Sequence, residues 1–213
     1  MRRARERMTV EAGHRLNILL TALLSVAALA TSWAGYQASL WNGNQASHDG
    51  TATALRTNST RETTRAGQLR IIDLQVFTAW VAAYTGNDTL VSAFYERRFR
   101  PEFRPAFAAW IASRPLRSPD AAPSPFNLPE YRLAADAEAG RLATAADKES
   151  VASQHANRMS DSYVLDAVVL AAVMSIASGA QGRSSARIRL CLLVIASVMC
   201  AAVLYRLVTS PLG

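Results

Sequence analysis

The chain has 213 residues, half of them apolar, with a formal net charge of +7 and a pI near 10.1. Two cysteines and three histidines leave little material for a disulfide framework or a common metal cluster. The apolar residues gather in three runs with arginine at their flanks, which points to a membrane and away from nucleic acid as the reason for the basic balance.

Residues 1–15 carry Arg2, Arg3, Arg5, Arg7 and Arg15 against Glu6 and Glu11. The first run, 16–38, has no charge and predicts a transmembrane helix, since a bilayer core of about 30 Å needs about 20 helical residues. A basic start followed by Ala28-Leu29-Ala30 also resembles a cleavable signal peptide, but the run continues through Trp33 and Tyr36, which favours an uncleaved anchor.

The long segment 39–162 comes next. It lacks proline as far as residue 83, so the helix is expected to continue, with a break in the Thr/Ser-rich stretch 51–65 as the alternative. Leu69, Ile72, Val76, Ala79, Trp80 and Ala83 form a helical stripe that ends at a Thr85-Gly86-Asn87-Asp88 turn. Phe94, Phe99, Phe103, Phe107 and Trp110 recur mostly every fourth residue, with Pro101 and Pro105 splitting the pattern into two short helices or a kink. Five prolines between residues 115 and 129 predict an extended loop, after which Pro129 and Glu130 suit the first turn of a new helix.

That helix leads into a second span, 163–180, charged only at Asp166. Arg183 and Arg187 mark a short turn, 181–187, before a third span, 188–208, and a tail, 209–213. Arginine on both short flanks places the N-terminus and the turn in the cytoplasm, and segment 39–162 and the tail outside. Cys191 and Cys200 lie about 13 Å apart along the third span and cannot pair. A single lysine, Lys148, among many arginines is associated with GC-rich bacterial genomes and hence with a bacterial inner membrane. The expected fold is an all-α integral membrane protein: three transmembrane helices with a long extracytoplasmic helical hairpin stalk.

Four features invite a functional reading beside a plain one. Asp166 and Arg206 lie at similar depth and are expected to form an intramembrane ion pair, with snorkelling or ion movement as the alternatives. Ala167, Ala171, Ser175 and Gly179 repeat every fourth residue, a face for packing within the chain or between copies. His48 and His155 are expected at similar height, more plainly as surface residues than as a metal site. Arg97, Arg98, Arg100, Arg104, Arg114 and Arg117 cluster among the tip aromatics, as a solvated rim or as a docking surface for lipid head groups, an anionic polymer or an acidic envelope protein. Phosphate loops, nucleophile elbows and metalloprotease motifs are absent, so no catalytic residue, cofactor or metal is expected.

Trp33-Ala34-Gly35-Tyr36-Gln37 with Trp41, Thr64-Arg65-Ala66-Gly67-Gln68, the doubled Phe-Arg-Pro of 99–107 and Pro129-Glu130-Tyr131 together resemble a family of uncharacterised three-pass bacterial membrane proteins. The resemblance implies a shared architecture over most of the chain and transfers no active-site residue. The expected function is that of a non-enzymatic, membrane-anchored envelope protein that binds a partner or self-associates. The alternative is a subunit of an oligomeric channel or transporter.

Overall fold

The computed structural model describes residues 2–115, 117–183 and 185–213, with side chains described from residue 14 onward except at 116, 184 and 186. The side chains of Arg2, Arg3, Arg5 and Arg7, on which the expectation of a cytoplasmic N-terminus rests, therefore lie outside the described residues, as does Ser184 in the short turn. The described residues form five α-helices, α1 (Arg2–Thr85), α2 (Thr89–Glu96), α3 (Arg104–Ala112), α4 (Ala134–Gln181) and α5 (Ala186–Thr209), with one 3-10 turn at Pro125–Asn127 and no strand. Helical stretches in α1, α4 and α5 are long and apolar enough to cross a membrane.

The chain divides into two compact units, residues 1–49 with 150–213, and residues 50–149. In the first unit, α1 contributes Ala27, Ala30, Ala34 and Ala38 to a core completed by Leu170 and Val173 of α4 and Ala196, Cys200 and Val203 of α5. The outward positions are the bulky ones: Leu29, Val168 and Val198 are 74%, 59% and 64% exposed. Small residues inside and branched residues outside suit a lipid surround, where close backbone approach holds helices together because the tails are as apolar as leucine. At one end of this unit Leu20 packs with Ala177, Ala180 and Leu193, and Arg189 Nη2 donates to Asn17 Oδ1. At the other end Ser160 Oγ donates to the Ala38 carbonyl at 3.0 Å, Tyr163 Oη to the Pro211 carbonyl at 2.8 Å, and the Gly213 amide to Gln37 Oε1 at 2.9 Å. The buried Gln37 and Tyr163 thus both have partners.

In the second unit the later part of α1 and the start of α4 run antiparallel. Arg56 lies 3.8 Å from Asp147 and Arg70 2.8 Å from Asp136, and Ser59 Oγ donates to the Ala139 carbonyl at 2.9 Å. Both ion pairs are largely exposed and contribute at most about 1 kcal/mol each. Close contact comes instead from Ala52, Ala66, Ala139 and Ala146, all buried.

Of the two alternatives for 51–65, the continuous helix is the one that forms: α1 runs through the Thr/Ser-rich stretch. The hydroxyls of Thr57, Thr60, Thr63 and Thr64 each donate to the carbonyl four residues earlier, so they are satisfied without opening the helix. The intrinsic penalty of threonine, at most about 0.7 kcal/mol per residue, is within what packing offsets.

The turn after α1 forms as expected, with Asn87 at φ 60 in the left-handed region. Asp88 then caps α2, its carboxylate accepting from the Val91 amide at 3.0 Å. Asp88→Ala should cost about 1 kcal/mol, read as a lower urea midpoint. The two prolines separate α2 from α3, and Pro105 occupies the first turn of α3. The next helix begins at Ala134 and not at Pro129, which correct the sequence expectation. Residues 129–130 form a turn, and the amide of Ala134 donates to Glu102 Oε1 at 3.0 Å, so a carboxylate from a distant loop starts α4.

Candidate binding site

Beyond Arg70, residues 71–85 of α1 are wrapped by segment 89–131. Phe77, Trp80, Phe99, Phe103, Phe107 and Trp110 form the buried centre of this wrap, with Phe126 and Tyr131 against it. Phe103 is fully buried, with ring centroids 5.0 Å from Phe99, 5.2 Å from Phe126 and 5.9 Å from Tyr131. Phe94, expected on the same face, is 40% exposed and holds the Arg98 guanidinium 3.6 Å above its ring.

A polar cluster sits beside these rings. Asp73 is 2% exposed; its Oδ2 accepts from Tyr131 Oη at 3.0 Å and lies 3.3 Å from Arg100 Nη1. Arg100 Nη2 also pairs with Glu102, whose other oxygen starts α4. Burial pushes the Asp73 carboxyl above its usual range, against the smaller opposing effects of the Tyr131 hydrogen bond and the Arg100 charge. The Tyr131 phenol is pushed up as well, by burial first and then by the neighbouring Asp73. The helical stripe read from sequence therefore has a charge in its middle: Asp73 is buried, whereas Ile72 is 46% exposed.

The six arginines of segment 97–117 fall into two groups. Arg100 is held by Asp73 and Glu102, and Arg104 turns back on its own chain, donating to the Phe99 carbonyl at 2.9 Å and the Arg97 carbonyl at 3.2 Å. Arg97, Arg98, Arg114 and Arg117 are exposed and have no carboxylate partner among the described residues.

Arg114 and Arg117 stand beside a groove of about 340 Å³ lined by Trp80, Tyr84, Trp110 and Ile111. The Trp80 and Tyr84 rings stack 4.9 Å apart at 18°, and Trp110 stands at 75° to Trp80. The Trp80 indole N–H is buried without a partner among the described residues. Arg114 follows α3 at φ 50, a left-handed position that glycine adopts freely and that costs another residue about 1 kcal/mol.

In the first unit, Arg206 Nε lies 3.5 Å from Asp166 Oδ1 and its Nη2 is 3.3 Å from Ser162 Oγ. Asp166 is 1% exposed, and its Oδ2 has no partner among the described residues. On α4 the positions packed within the chain are Tyr163, Asp166, Leu170, Val173, Ala177 and Ala180, whereas Ala171, Ser175 and Gly179 are exposed and Ala167 is half-buried. Packing within the chain thus uses a different face from the small-residue run. Small residues do make close contacts, but at other positions: Ala27, Ala30, Ala34 and Ala38 of α1, Ala177 and Ala180 of α4 and Ala196 of α5. His155 stands edge-on to Trp41 at 5.9 Å, and no group of three potential metal ligands occurs among the described residues. No protein-family model matches the chain, and no curated protein or solved structure matches it either.

Proposed function

We propose that this is a membrane-anchored, non-enzymatic bacterial envelope protein whose second unit faces outward and binds an anionic partner. The observation that carries the reading is a local excess of positive charge on one segment of that unit. Segment 97–117 holds six arginines and one acid, Glu102, and that acid is taken up by Arg100 and the start of α4. Four exposed guanidinium groups are left on a unit that also exposes large apolar side chains, including Leu90 at 79% and Phe94 at 40%, the latter under Arg98. Arginine and aromatic residues are the types that anchor contact surfaces, and an excess of one sign selects partners of the other. The outward-facing bulky residues of the first unit support a lipid-embedded anchor.

A photo-cross-linking residue placed at Leu90 in native membranes tests the reading. The expected result is a discrete adduct of higher mass whose yield falls when Arg97, Arg98, Arg114 and Arg117 are changed to glutamine. An adduct indifferent to those changes, or none, would sink the proposal, and an adduct at twice the chain mass would make the partner a second copy. A cysteine at Leu90 labelled by an impermeant maleimide in intact cells tests the outward side.

The second reading, a subunit of an oligomeric channel or transporter, rests on Asp166 and its unpartnered Oδ2. It predicts conductance in reconstituted bilayers that Asp166→Asn abolishes.

A further inference from the structure

The groove beside Arg114 narrows the chemistry of what the second unit binds. We propose that it takes a small free arene carboxylate: a flat apolar body of one or two rings carrying a single negative charge. The inference rests on the reading above in treating Arg114 and Arg117 as binding groups.

Three observations converge on this ligand class. First, the groove is aromatic. Trp80 and Tyr84, stacked on each other, and Trp110, steeply inclined to Trp80, line it, with Tyr84 the half-exposed ring. Aromatic rings favour such offset and edge-on partners. A volume of about 340 Å³ is at the small end of ligand pockets, which admits one or two rings and excludes a folded partner.

Second, the charge is of one sign. Two arginines border the groove, and no acidic side chain lines it among the described residues. A guanidinium presents paired N–H donors that match a carboxylate. Third, Arg114 holds its place at a backbone position where glycine would be more stable. A costly conformation kept at the border of a pocket points to use of that side chain.

The experiment uses the full chain in an uncharged detergent, titrated calorimetrically with 1-naphthoate and with its neutral relative 1-naphthylmethanol. Naphthoate is expected to bind one per chain, at least about tenfold more tightly than the alcohol. Arg114→Gly and Arg117→Gln should each weaken naphthoate about tenfold or more. Arg114→Gly should at the same time leave the thermal midpoint unchanged or raise it by about 2–4 °C, because it relieves the left-handed strain. A purely structural arginine would do the reverse, lowering the midpoint and leaving naphthoate affinity alone.

The inference is overturned by equal binding of the two probes, by no naphthoate binding up to its solubility, or by an Arg114→Gly protein that binds naphthoate as tightly as the parent. If naphthoate fails while the Leu90 adduct and its arginine dependence remain, only this inference falls. If naphthoate binds and no adduct forms, the partner-binding reading falls and the small-ligand site stands.

Discussion

Replacing Arg100 with alanine is expected to destabilise the protein by about 3–5 kcal/mol at neutral pH, because it leaves a buried carboxylate without its cation. Asp73 is 2% exposed and would keep only the Tyr131 hydroxyl. Glu102 would lose the same guanidinium, and with it part of what holds its other oxygen on the Ala134 amide. Urea unfolding of the full chain, followed by tryptophan fluorescence, measures the loss. The penalty depends on pH with a definite sign. Burial already sets the native Asp73 value above the ordinary 3.8, so protonating Asp73 favours the folded state at low pH, and that contribution disappears as pH rises through the native value. Above it, the carboxylate stays folded only as an ion held by its neighbours. Without Arg100 the native value rises further, and the penalty should therefore be largest near neutrality and shrink towards about pH 4. Asp73→Asn in the same chain should recover most of the lost stability, since the stranded charge is then gone. An Arg100→Ala protein as stable as the parent at pH 7 would show that Asp73 is hydrated and the cluster open.

The other large effect is expected at Phe103. Truncation to alanine should cost about 3–5 kcal/mol, the usual range for a buried phenylalanine. The site cannot easily collapse, because Phe77, Phe99, Phe107, Phe126 and Tyr131 all have ring centroids within about 6 Å of it and brace one another. Phe103→Leu, which keeps much of the volume, should lose markedly less. The same unfolding measurement separates the two variants, and a cost below about 1 kcal/mol for alanine would mean that the rings are not close-packed. Phe107 lies between Phe103 and Trp80, at 6.1 Å and 4.8 Å, so the larger truncation should also loosen the groove.

Much of this architecture can be read in the sequence because it depends on local patterns. Three uncharged or nearly uncharged runs correspond to three helices apolar enough to cross a membrane, and Pro101 and Pro105 separate two short helices. What escaped the reading depends on distant partners. Asp73 looks like a surface acid until Arg100 and Tyr131 come to it from 27 and 58 residues away. Pro129 looks like a helix start until Glu102 supplies the amide partner at Ala134. Through 51–65 the sequence leaves a break open for a different reason: threonine lowers helix propensity on average, but its hydroxyl can be satisfied within the helix. In the binding site, the arginine and aromatic composition is visible, while the engagement of Arg100 and Arg104 within the fold is not. That engagement is set by backbone carbonyls and by the carboxylates of Asp73 and Glu102, which leave no trace in spacing.

The Glu102 contact to Ala134 also gives the second unit a reporter. An amide at the first position of a helix ordinarily lacks a partner and exchanges its hydrogen with water almost freely. Here it is covered by the carboxylate of Glu102, which reaches it from the loop 97–103. Slow deuterium uptake at Ala134 would therefore time the opening of the loop on the groove-bearing unit, and a ligand that steadies that unit should slow it further.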